Sequence, residues 1–73
     1  DMNYKITLQN GYMAIVEAIS LADARNYAYR QQGTDNVLSI REAKGEDVSW
    51  CQGMGGMIHV TDKAYAKKMK KKS

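Results

Sequence analysis

The chain has 73 residues, 44% of them hydrophobic, with one cysteine and no apolar run near the roughly 20 residues that span a bilayer. That leaves room for one domain and argues against a disulfide framework, a disordered polymer and a membrane-spanning helix. The net charge of +3 hides two parts: residues 1–62 carry five basic and eight acidic side chains, five minus eight giving −3, whereas residues 63–73 carry six lysines and no acid.

A domain of this size buries only about 60% of the surface its unfolded chain exposes, so the core is expected to be thin. The lone thiol fits a reducing compartment. Asp1-Met2-Asn3-Tyr4-Lys5 leads into alternation rather than an apolar stretch, so no signal peptide is expected and Met2 reads as the natural start.

Tyr4-Lys5-Ile6-Thr7-Leu8 alternates apolar and polar residues and predicts a strand with one buried face. Asn10-Gly11 is a hairpin signal, because a type I′ turn needs positive φ at both central residues. A second strand is expected over residues 13–18, and a two-residue turn would pair Leu8 with Met13, Ile6 with Ile15 and Tyr4 with Glu17. Ser20, with Asp23 three residues on, predicts a capped helix start. Leu21, Ala24 and Ala28 form its apolar stripe, and Gly33 stops the helix.

Residues 37–41 predict a third strand, Lys44-Gly45-Glu46-Asp47 a turn, and residues 48–52 a fourth strand with Val48 and Trp50 on one face. With no phenylalanine in the chain, Trp50 is expected in the core. Gly53-Met54-Gly55-Gly56 is expected to close a hairpin into a fifth strand over residues 57–60. Thr61-Asp62 is expected to cap a short C-terminal helix in which Tyr65 and Met69 are neighbours. The expected fold is α+β: an antiparallel sheet of four to five strands in β-β-α-β-β(-β) order, one helix on one face, and a basic C-terminal helix or tail. Residues 1–62 form the domain and residues 63–73 the lysine-rich tail.

The glycine-rich stretch is neither G-x-G-x-x-G nor a P-loop, so a plain turn is the better reading and no cofactor is expected. Cys51 and His59 could meet across the last hairpin, the minimum for nucleophilic chemistry, but no third residue orients them. Neither catalysis nor a metal site is expected. Arg25, Tyr29 and Arg30 bring hot-spot residue types to the exposed side of the helix and are the expected partner-binding residues. Lys63, Lys67, Lys68, Lys70, Lys71 and Lys72 are the expected phosphate contacts. They can neutralise a nucleic-acid backbone but lack the Arg or Asn that reads base edges.

Residues 16–25 (VEAISLADAR), the helix they open and residues 37–41 (VLSIR) resemble certain type I-F anti-CRISPR proteins. The resemblance covers about half the chain. It implies a small β-rich fold with one helix that sits on Cas backbone subunits and alters access to DNA; it transfers no individual residue. Residues 37–72, read as three strands and a lysine-bearing helix, are similar to the C-terminal part of a double-stranded-RNA-binding domain, whose helix lysines grip phosphates. Such domains lack the hairpin before Val37.

The leading expectation is a non-enzymatic phage or mobile-element protein in the host bacterial cytoplasm, without membrane contact, that binds and inhibits a host protein or ribonucleoprotein complex. The alternative is a module that binds DNA or RNA through the lysine-rich end. A third is an assembly protein that forms a homodimer through an open sheet edge.

Overall fold

The computed structural model describes residues 1–71. Strands β1 (Met2–Leu8) and β2 (Met13–Ala18) form the expected antiparallel hairpin. Its register pairs Tyr4 with Val16, Lys5 with Ile15 and Ile6 with Ala14, one residue away from the expected pairing. The turn is the cause. Leu8 N–H donates to the Tyr12 carbonyl at 2.8 Å and Gly11 N–H to the Leu8 carbonyl at 3.0 Å, so the loop is Gln9-Asn10-Gly11. Gly11 closes it at φ +89°, as in a three-residue loop ending in a left-handed glycine, not a two-residue turn.

A slip of one residue sends each side chain to the opposite face. Tyr4, Ile6, Val16 and Ala18 face one way and pack with Ala24 and Ala28 of α1 (Leu21–Gln32). Ile15 faces the other way and is also fully buried. The sheet is therefore covered on both sides, which the unbroken apolar stretch Met13-Ala14-Ile15-Val16 reflects.

Helix α1 starts as the sequence predicts. Ser20 Oγ accepts from Asp23 N–H at 3.1 Å, and Asp23 Oδ2 accepts from Ile19 N–H at 3.1 Å. Its alanines let it lie close on the sheet; Leu21, the expected third member of the stripe, is half exposed. A 3-10 turn (Thr34–Asn36) leads into β3 (Val37–Glu42), which pairs antiparallel with β1.

Beyond β3 the structure departs from expectation. Residues 45–53 form helix α2 (Gly45–Gly53), not a turn and a strand. The Asp47 carboxylate accepts from Lys44 N–H at 2.9 Å and holds the first turn. Val48 and Cys51, three apart, face inward; Trp50 points out and does not join the core. The glycine-rich stretch is the loop leaving α2. Gly56 is required there, since a Cβ would lie 2.8 Å from Cys51 Sγ.

The loop leads to β4 (Ile58–Val60), which pairs with β2 in parallel. A parallel neighbour needs a crossover connection, and α2 supplies it. The sheet order is β3-β1-β2-β4. Among the described residues the fold is α+β with a four-stranded mixed sheet and three helices; the expected basic C-terminal helix is present, whereas the parallel β4 and helix α2 correct the expected all-antiparallel sheet. The fold also lacks the three consecutive strands that the double-stranded-RNA-binding likeness requires.

Helix α3 (Asp62–Lys71) completes the second layer with buried Ala64. Thr61 caps it by accepting from Ala64 N–H at 3.1 Å, and donates to Asp23 Oδ2 at 2.5 Å. One carboxylate oxygen thus ties the starts of α1 and α3 together.

Candidate functional site

The expected partner-binding residues divide. Arg25 and Tyr29, one turn apart on α1, line a shallow groove with Leu21 and with Leu38 of β3. Leu38 is 60% exposed. Arg30 lies outside this groove, on the next helical position round. Leu38 falls at a register shift, between Val37 opposite Leu8 and Ser39 opposite Thr7. A bulge of this kind, with Arg41 and Glu42 on the same strand, blunts an open edge against pairing with a second copy.

The expected phosphate-binding lysines are on a formed helix docked against the body. Lys68 Nζ lies 2.7 Å from Glu17 and Lys67 Nζ 3.3 Å from Asp1, so part of the basic end is matched to acids of the body. Lys63 and Lys70 are on the exposed surface of α3. Lys72 and the side chain of Lys71 fall outside the described residues.

A second groove, on the opposite face, was not expected. It lies between α2 and the β1–β2 hairpin, has a volume of about 610 Å³ and is open to solvent. Trp50 (59% exposed) and Tyr12 (72% exposed) line it, with Lys5, Thr7, Met13, Glu46 and Asp47. Met54 and Met57, in the loop leaving α2, are exposed as well. The signal for this groove was present in the sequence as helical spacing: Glu46 and Trp50, four apart, share the outer side of α2, while Val48 and Cys51 share the inner.

The charges in the groove are unequally matched. Asp47 accepts the Lys44 N–H and has Lys5 and Arg41 at 3.4 Å each. The backbone hydrogen bond, aided by the two cations and opposed by partial desolvation, holds its carboxyl below the ordinary value of 3.8. Glu46 makes no ion pair among the described residues.

Cys51 and His59 do not form a couple. Cys51 is buried beneath α2, on the Ile15 side of the sheet. His59 faces α1, its Nδ1 3.2 Å from the Tyr27 hydroxyl and the two rings 6.1 Å apart. Among the described residues no group of three or more His, Cys, Asp or Glu could hold a metal ion, and no helix is long and apolar enough to cross a membrane. The chain matches no protein-family model, no curated protein and no solved structure.

Proposed function

We propose that this protein works without catalysis, by docking onto another protein, and that the groove between α2 and the β1–β2 hairpin is its docking surface. The observation that carries this reading is the placement of Trp50. A chain with a thin core and no phenylalanine puts its one tryptophan on the surface, beside an exposed tyrosine and over a groove. Trp and Tyr are the residue types that dominate binding energy when a partner covers them. The resemblance to type I-F anti-CRISPR proteins implies an inhibitory form of such docking, with a host complex as the partner.

The test is capture of a partner from cells of the source organism by three forms: the native chain, Trp50→Ser and Arg25→Glu. Loss on Trp50→Ser alone supports the α2 groove. Loss on Arg25→Glu alone moves the docking surface to the Arg25, Tyr29 and Leu38 groove.

One observation favours a second reading. Lys63, Lys67 and Lys70 stand at helical spacing along α3, a row of cations that a phosphate backbone would contact with Lys67 exchanging its Asp1 pair. Under that reading, replacing the three by Gln abolishes salt-sensitive binding to duplex DNA or RNA. Under the docking reading it leaves partner capture intact.

A further inference from the structure

We infer that the α2 groove receives a basic side chain, an arginine set among apolar neighbours on a protein partner. The inference rests on the docking reading and specifies its occupant. Glu46 and Trp50 lie one turn apart on the same side of α2, and Tyr12 stands on the hairpin that forms the other wall. A cation over the face of a tryptophan or tyrosine is attracted by the ring's negative face, and a guanidinium also stacks there.

The charges select the sign of the occupant. The groove's own cation, Lys5, is turned to Asp47, which Arg41 also approaches. Of the two carboxylates lining the groove, Glu46 is then the one without an ion pair among the described residues. Its position in the first turn of α2 offsets part of its charge and leaves its acceptor oxygens open. A phosphate entering the groove would meet Glu46 and a Lys5 already engaged. A guanidinium would meet a carboxylate, two aromatic rings and the apolar stem of Met13. Nucleic acid could use the same rings as a stacking platform, but such platforms come with a basic groove, and this lining holds two carboxylates and one lysine.

Trp50 is the only tryptophan, so its fluorescence reports the groove directly. The probes are the capped tripeptide Leu-Arg-Leu, the same peptide with norleucine or glutamate at its centre, and a short thymidine oligonucleotide. The arginine peptide is expected to shift Trp50 emission saturably. Its affinity should exceed the norleucine peptide's about fivefold, from a cation–π contact and an exposed ion pair. Glu46→Gln should weaken the arginine peptide about threefold and leave the norleucine peptide unchanged.

The inference is overturned if the arginine peptide does not bind, if norleucine binds equally, if Glu46→Gln changes nothing, or if the glutamate peptide or the oligonucleotide is preferred. In any of those cases the docking reading still stands if Trp50→Ser abolishes partner capture. If Trp50→Ser leaves capture intact, the docking reading itself has failed.

Discussion

Thr61→Val removes two hydrogen bonds without changing the shape of the side chain. Thr61 is 1% exposed, the one buried polar residue among the described residues. Its hydroxyl donates to the Asp23 carboxylate at 2.5 Å and accepts the Ala64 N–H at 3.1 Å. A hydrogen bond to a charged group contributes about 1.5–3 kcal/mol and a threonine N-cap about 1 kcal/mol. Valine is close to isosteric, so no cavity adds to the cost, and the loss is about 2.5–4 kcal/mol. A domain of this length has on the order of 4–11 kcal/mol of stability in total. With each kcal/mol worth about 4–8 °C here, the midpoint should fall by at least about 10 °C. Thermal and urea unfolding followed by far-UV circular dichroism measure this. Thr61→Ser, which keeps both hydrogen bonds, should cost about 1 kcal/mol, mainly for its methyl group. Thr61→Val and Asp23→Ala should be strongly non-additive, since both break the Thr61–Asp23 contact. A loss below about 1 kcal/mol for Thr61→Val, or additive behaviour of the pair, would refute the idea that this hydroxyl joins α1 to α3.

Three further outcomes are expected. Trp50→Ser should change stability by less than about 1 kcal/mol, because the ring is largely exposed, whereas partner capture should be lost; a large destabilisation would place Trp50 in the structural core instead. Gly56→Ala should destabilise by about 1–3 kcal/mol, since its Cβ would stand 2.8 Å from Cys51 Sγ and 3.0 Å from the Cys51 carbonyl oxygen; Gly53→Ala, with open space around it, should be neutral or stabilising by a few tenths of a kcal/mol, and equal effects would contradict the close packing of the loop. The Asp47 carboxyl is held below 3.8, so its contribution is complete above that pH and is lost as the pH falls through the lowered folded value; the acid limb of urea stability should therefore be shallower in Asp47→Asn, and an unchanged limb would show that the carboxylate adds nothing.

The half of the chain up to β3 was legible because its signals are local. Ser20 and Asp23 bond as their spacing indicates, Gly33 follows the helix, and the hairpin strands lie where the alternation of the first and the Asn10-Gly11 turn put them. The register was not legible, because Asn10-Gly11 suits both a two-residue turn and a three-residue loop, and only the Leu8–Tyr12 hydrogen bond decides between them. Helix α2 was missed because Val48 and Trp50 alternate like a strand over so short a stretch, while the helix signal rested on Asp47 at its third position and on the Val48–Cys51 spacing. That one misreading hid the candidate site. As a strand residue Trp50 belongs inside; as a helix residue four from Glu46 it belongs outside. By contrast, Arg25 and Tyr29 were brought together because one turn of an unambiguous helix fixes their relation.

The parallel pairing of β4 with β2 divides the molecule by order of closure. The β1–β2 hairpin closes between near neighbours in sequence, whereas β3 joins β1, and β4 joins β2, across long stretches of chain, the longest for β4. The three residues of β4 can pair only after the crossover through α2 has been made, and they end the sheet with its shortest strand. Short, late-paired edges open at low free energy compared with a central hairpin. A partner seated against the wall that carries Trp50 and Glu46 would therefore also act as a clamp on the crossover that delivers the last strand.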